Sequence, residues 1–275
     1  MTDFSRYIIA TDLDGTFFGP GGVRVERNME AVERFKAGGG LFTYATGRLH
    51  LNIRNVIGDS AALVNAPAVM CNGAYLYDFA AQRAREEEWM DPADVREILD
   101  FSQRRFPDVP YRVSTATELR IREASGFLAQ DIKDFDPDAV RVAPVETWPV
   151  NDWYKIVYRE LPERLSAVRA ALMEHFGERL GLTSSGTNIL EVQNPGCNKA
   201  KGLEKLRRFC GGDRILIACG DFENDIEMLQ AADIAVCPEN AMPGVKKIAD
   251  HILCHCKEGL IADVIHRLEK GEWET

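Results

Sequence analysis

The chain has 275 residues, 45% of them apolar and 28% charged, with 43 acidic against 33 basic side chains and a formal charge of −10. That length suffices for one large domain or two modest ones with real cores. The acidic balance argues against wholesale binding to nucleic acid or an anionic membrane, which leaves a basic footprint. A small anionic substrate stays possible, because a metal ion and a few cations can invert the local field. Residues Met1 to Arg6 hold no basic segment followed by an apolar core, so no secretory signal is expected. No apolar run reaches membrane-spanning length. The seven cysteines, an odd number without framework spacing, suit reduced thiols and a cytoplasmic location. His251, Cys254, His255 and Cys256 are zinc-ligand types crowded into six residues. Without a second pair at zinc spacing, a short strand before the last helix is the favoured reading of them.

In chain order, the apolar run Tyr7 to Ala10 reads as a strand buried on both faces. A Gly- and Pro-rich loop, Phe17 to Gly22, leads to a helix with Val25, Met29, Val32 and Phe35 at helical spacing, ended by Gly38-Gly39-Gly40. A second strand, Leu41 to Ala45, stops at Thr46-Gly47-Arg48, and a helix from about Leu49 to Ile57 follows. A third buried run, Ala68 to Cys71, ends at Asn72-Gly73-Ala74. This alternation is that of a doubly wound, Rossmann-like parallel sheet of the α/β class.

Past Tyr77 the pattern changes. Asp91-Pro92 reads as an N-cap and first helical residue, with Val95, Ile98, Leu99 and Phe106 on the buried face. From Thr117 to Glu123, Leu119 and Ile121 alternate with Glu118, Arg120 and Arg122, as in a strand with one solvated face. Lys155 to Tyr158 is a further strand, Pro162 opens a helix with Leu165, Val168, Leu172 and Phe176, and Thr187 to Gln193 is a last strand. These elements make an α+β insertion. The first rhythm then returns: a helix from Lys199 to Phe209, a buried run Ile215 to Cys219 ending at Gly220-Asp221, a helix from about Asn224, a strand Ile234 to Val236, and a closing helix with Leu260, Ile261, Val264, Ile265 and Leu268. The expected division is a sheet domain of about residues 1–82 and 190–275, split by an insertion of about 83–189.

Three of these strands end at Asp12, Thr46 and Asp221, and in a parallel sheet such ends share one edge, where α/β sheets bind their ligands. Asp12 and Asp14 stand one residue apart before the turn-making Gly15. Two carboxylates so close repel, and a divalent cation would relieve them. An acidic surface turn is the plainer alternative. Clustered carboxylates, a hydroxyl beside a glycine amide and a nearby lysine suit phosphoryl transfer, which is mostly in-line positioning and charge neutralisation.

The segments Asp12-Leu13-Asp14-Gly15-Thr16, Ala45-Thr46-Gly47-Arg48, Asn198-Lys199 and Gly220-Asp221-Phe222-Glu223-Asn224-Asp225 resemble the haloacid dehalogenase-like phosphatases. The place of the insertion, with Cys71-Asn72-Gly73-Ala74 and Glu239-Asn240-Ala241, is similar to their Cof-type branch with a type IIB cap. The resemblance covers essentially the whole chain. It implies a haloacid dehalogenase-like core with an α+β cap for substrate specificity, acting as a magnesium-dependent phosphomonoesterase on small phosphorylated metabolites, sugar phosphates foremost. By position, Asp12 would be the nucleophile and Asp14 the general acid and base. Thr46, the Gly47 amide and Lys199 would hold the phosphoryl oxygens. Asp12, the main-chain carbonyl of Asp14, and Asp221 would hold Mg2+, with Asn224 and Asp225 completing or orienting the shell.

Each residue also has a plainer role. Thr46 and Asp221 are good helix caps, and Arg48 reads as structural or solvated. The family pattern is Lys-Gly, whereas this chain reads Lys199-Ala200-Lys201-Gly202; counting from Pro195-Gly196 favours Lys199 over Lys201. Phe17-Phe18, where an aliphatic pair is common in the family, is a departure expected to alter the entrance and not the chemistry. Two other functions fit the same groups: a phosphomutase, marked by an activating bisphosphate, and a non-enzymatic phospho-accepting signalling domain, against which the large insertion speaks.

Overall fold

The computed structural model describes residues 2–58 and 60–273, which divide into two compact units. The first comprises the chain up to Gly47, Ile57–Glu86 and the chain from Asn198; the second comprises Arg48–Val56 and Glu87–Cys197. No helix among the described residues is long and apolar enough to cross a membrane.

The first unit is built on a five-stranded parallel sheet in the order 251–253, 234–238, 215–219, 7–11, 41–44. Tyr7–Thr11 lies at its centre with all five residues buried, as a strand covered on both faces requires. The chain leaves this strand to one side for Leu41–Tyr44 and returns on the other as Ile215–Cys219, so the strand order reverses beside Thr11. Ligands of open α/β sheets bind at such a reversal. On one face, Ile8, Ala10, Leu216 and Ala218 pack with Leu203 and Leu206 of the Lys199–Cys210 helix and with Met228 and Leu229. Helix Glu26–Ala37 packs against the closing helix Leu260–Glu269.

Two expectations for this unit change. Ala68–Met70 is joined to the preceding strand by a parallel bridge between Ala45 and Val69, and it pairs antiparallel with Tyr75–Asp78, which pairs with Arg83–Arg85. The tight turn at Asn72-Gly73 sends the chain straight back, so the run opens a hairpin sheet. Phe17 and Phe18 are fully buried, with Phe17 5.6 Å from Phe42 and 5.3 Å from Phe18 between ring centroids. They are core residues and line no entrance.

The second unit carries a six-stranded sheet in the order 181–186, 189–193, 153–159, 111–115, 119–121, 140–142, antiparallel except for its last pair. Val113, Ile156, Tyr158, Leu190 and Val192 on one face pack with Val95 and Ile98 of helix Pro92–Arg105 and with Leu165, Val168 and Leu172 of helix Pro162–Phe176. The first helix starts as expected: Asp91 Oδ1 accepts from the Ala93 amide at 2.7 Å, and Pro92 follows. The limits differ from those read in the sequence. Ile189–Gln193 pairs with Trp153–Arg159, which draws residues up to Cys197 into this unit. Residues 48–56 also join it, and Arg48 Nη1 donates to Asp134 at 3.0 Å.

Arg120 overturns the expectation of a solvated face. It is 3% exposed, donates to Asp152 at 3.0 and 2.8 Å, and reaches the Pro149 carbonyl at 2.7 Å and Glu118 at 2.6 Å. A guanidinium can be buried when its fork of donors is filled. Lys155 and Glu191 are likewise buried as an ion pair.

Candidate active site

The site residues meet at the carboxyl edge of the parallel sheet in the first unit. Asp12 directly follows the central strand, and its amide donates to the Cys219 carbonyl at 2.8 Å, which holds the nucleophile candidate at the strand reversal. The chain then closes a tight loop in which the Phe18 amide donates to the Leu13 carbonyl at 2.9 Å. Gly15 sits at φ 85°, and a Cβ there would lie 2.5 Å from Asp221 Oδ2. Only glycine permits both that backbone and that approach. Thr16 Oγ1 donates to Asp221 Oδ1 at 2.7 Å, joining the two acidic motifs across 205 residues.

Asn198 caps the next contributor, its Oδ1 accepting from the Lys201 amide at 2.8 Å. This makes Lys199 the first residue of its helix, with its side chain wholly buried. Lys199 Nζ donates to Asp12 Oδ1 and to Asp225 Oδ1, both at 2.6 Å. Lys201 instead pairs with Glu204 at the surface. The other oxygen of Asp225 accepts from the amides of Asp221 and Phe222 at 2.8 and 3.0 Å. Oxygens of Asp12, Asp221 and Asp225 all lie within 4.8 Å of one another.

Burial pushes the Asp12 carboxyl well above the ordinary carboxylate range; Lys199 opposes that rise, and Asp225, Asp221 and Asp14 add to it. Asp221 is pushed up to about 7, by burial first and by Asp225 next, while the Thr16 hydroxyl and Lys199 pull it down. For Lys199, burial favours losing the proton, but Asp12 and Asp225 outweigh it and hold the ammonium above the usual lysine range. One ammonium therefore faces three buried carboxylates, an unbalanced negative site that a divalent cation would complete. The donor set is all oxygen, as magnesium prefers.

Asp14 is exposed, at φ −80° and ψ 113°, close enough to raise both Asp12 and Asp221. Thr46 is buried; its amide donates to the Val69 carbonyl at 2.9 Å, and half-buried Gly47 follows it. The next helix begins only at His50, so Thr46 lies outside its first turn. Asn224 is buried and donates from Nδ2 to Asn72 Oδ1 at 3.1 Å.

Two residues given no role by the sequence reading stand out. Asn72 joins the Thr46 and Asn224 segments. Asn240 donates from Nδ2 to the Gly15 carbonyl at 2.7 Å and accepts from the Cys256 amide at 3.0 Å. Each follows a buried strand, and each lies in a segment similar to the Cof-type branch, the two signals that mark it in the sequence. Among the crowded histidines and cysteines near the end, His251 stacks on Trp273 with ring centroids 4.7 Å apart, and Cys256 is buried.

A model of the haloacid dehalogenase-like hydrolases matches residues 9–265. An HMP-PP phosphatase of Shigella boydii serotype 4 is 26% identical over 93% of this chain and 97% of its own. The corresponding Escherichia coli K12 (DH10B) protein is also 26% identical, over 93% of each chain. Among solved structures, SMU.1108c of Streptococcus mutans superposes with a TM-score of 0.83 at 23% identity, covering 96% of this chain and 98% of that one. The HAD subclass IIB sugar phosphatase BT4131 superposes with a TM-score of 0.79 at 20% identity, over 95% and 98%. With that match spanning both units and including Asp12, Asp221 and Asp225, the chain belongs to the Cof-type haloacid dehalogenase-like hydrolases and is an enzyme of their phosphatase class.

Proposed function

We propose that the enzyme is a magnesium-dependent phosphatase that hydrolyses small phosphorylated metabolites, sugar phosphates foremost, through an aspartyl phosphate on Asp12. The observation that carries this reading is the meeting of Asp12, Asp221 and Asp225 around the Lys199 ammonium, which stands 2.6 Å from both Asp12 and Asp225. Asp12, the Asp14 carbonyl and Asp221 would hold the magnesium ion, with Asn224 and Asp225 around it. When bound, the ion supplies positive charge to the phosphoryl oxygens and balances the carboxylates.

The protein's own groups then divide the work. Lys199 favours the charged form of the nucleophile and neutralises a phosphoryl oxygen. An Asp12 oxygen bonds to phosphorus as the bond from phosphorus to the leaving oxygen breaks, and that oxygen takes the proton of Asp14. Asp14, now a carboxylate, removes a proton from the water that cleaves the aspartyl phosphate. The exposure of Asp14 suits a group that must meet both leaving group and water. The Thr46 hydroxyl and Gly47 amide hold the remaining oxygens. We assign substrate discrimination to the second unit, a division supported by the family resemblance. The seven free cysteines support a reducing compartment such as the cytoplasm.

The test is phosphate release from a panel of sugar phosphates and HMP-PP with magnesium. The likeness to BT4131, a sugar phosphatase, supports the sugar-phosphate preference, and the HMP-PP phosphatases put the second substrate on the panel. Release should vanish in excess chelator, and Asp12→Asn should lower turnover by at least about a thousandfold. Full activity in chelator would refute the metal assignment, and a near wild-type Asp12→Asn enzyme would refute the covalent mechanism.

A further inference from the structure

Cys71, Asn72 and Gly73 hold φ of 52°, 54° and 89°, three left-handed residues in a row. Glycine adopts that conformation freely and asparagine tolerates it, but it strains a cysteine. Such a loop persists where surrounding contacts over-determine it. Here those contacts lead to the active edge. The Asn72 amide donates to the Thr46 carbonyl at 3.0 Å, and Asn72 Oδ1 accepts from Asn224 Nδ2 at 3.1 Å. A Cβ on Gly73 would stand 2.1 Å from the carbonyl oxygen of Asn198, the cap of the Lys199 helix. Lys205 of that helix donates to the Gly73 carbonyl at 3.1 Å.

One three-residue loop thus ties together Thr46, the Lys199 helix and Asn224, segments the chain brings from three distant places. We infer that Asn72 is a positioning residue, setting Thr46 and Asn224 relative to Lys199; this deepens the phosphatase reading and rests on it. The residue type carries the argument. Glycine would suit the backbone better, yet it lacks the buried Oδ1 that receives Asn224. Asparagine is the residue that combines tolerance of this conformation with an amide oxygen at that reach.

The experiment compares Asn72→Gly with Asn72→Ala. Both delete the amide, but only alanine adds left-handed strain, so the glycine variant should melt above the alanine variant. A positioning role predicts that both lose about 10- to 100-fold in kcat, with KM within about twofold of wild type. A merely structural role predicts that activity follows the melting order and that Asn72→Gly keeps the wild-type kcat. A second readout needs no turnover: the rise in melting temperature on adding Mg2+ with orthovanadate should shrink in both variants. Wild-type kcat and a wild-type vanadate-linked rise in Asn72→Gly would overturn the inference. If the wild-type enzyme releases no phosphate, the phosphatase reading fails and the vanadate-linked rise alone decides the role of Asn72. A wild type that neither turns over nor gains from vanadate overturns both.

Discussion

Lys199 and Lys201 lie two positions apart on one helix, the first wholly buried between two aspartates and the second 54% exposed beside Glu204. A surface pair such as Lys201–Glu204 is worth about 0–1 kcal/mol, because solvent screens it and side-chain entropy opposes it. Buried Lys199 cannot lose its partners without leaving a charge out of water, which ties its chemistry to theirs. Burial favours the neutral form of His50 as it does that of Lys199, and here it prevails, pushing the imidazole down to about 4. The unfolded chain takes up this proton near pH 6.5, the folded chain only near 4, so the unfolded state binds more protons between those values. This contribution to stability is complete above about pH 6.5 and is lost as the pH falls towards 4. Melting temperature measured across that range should fall less steeply in His50→Gln; an unchanged slope would show that His50 plays no part in acid unfolding.

At the scale of elements, close approach sets the position of the Lys199–Cys210 helix. A Cβ on Gly202 would come within 2.2 Å of Val69 Cγ1 and 3.0 Å of Gly73 Cα, so the helix lies against the hairpin sheet with no room for a methyl group. Helix propensity alone would favour Gly202→Ala by about 1 kcal/mol. Overpacking costs about 1–3 kcal/mol, and here part of the obstacle is backbone. The second effect should win: Gly202→Ala is expected to lower the melting temperature, and to lower kcat as well because the displaced helix carries Lys199. A variant more stable than wild type would show that the neighbours yield easily. Arg120 illustrates the same scale in the second unit, where one strand residue is fixed by acceptors from its own strand's approach and from the segment before Trp153.

For the molecule as a whole, the acidic edge is expected to make stability depend on a bound cation. Asp12, Asp221 and Asp225 lie within 4.8 Å of one another around one ammonium, so the protein without a cation stores like-charge repulsion. A ligand that binds only the folded state stabilises it by mass action, about 2.7 kcal/mol at a hundred times its Kd. Magnesium should therefore raise the melting temperature in a concentration-dependent way, and Asp221→Ala should blunt that rise. An equal rise in the variant would place the ion elsewhere.

The sequence by itself determined what short-range physics controls. Buried runs ending in polar turns announced the parallel sheet, periodic apolar residues announced its helices, and Asp91-Pro92 marked a helix start that the structure keeps. The acidic motifs and their order carried the resemblance to the family whose model covers residues 9–265. Tertiary structure alone decided which partners meet. The Thr16–Asp221 and Lys199–Asp12 contacts span 205 and 187 residues, and no local pattern records them. The alternation around Arg120 looked like a wet strand face because its acceptor, Asp152, lies 32 residues away. Phe17 and Phe18 looked like loop residues until Phe17 packed between Phe18 and Phe42, and Ala68–Met70 keeps one parallel bridge to Ala45 while the left-handed turn at Asn72 makes it the first strand of a hairpin. Periodicity reports how a segment is half-buried; only the assembled chain supplies what buries it.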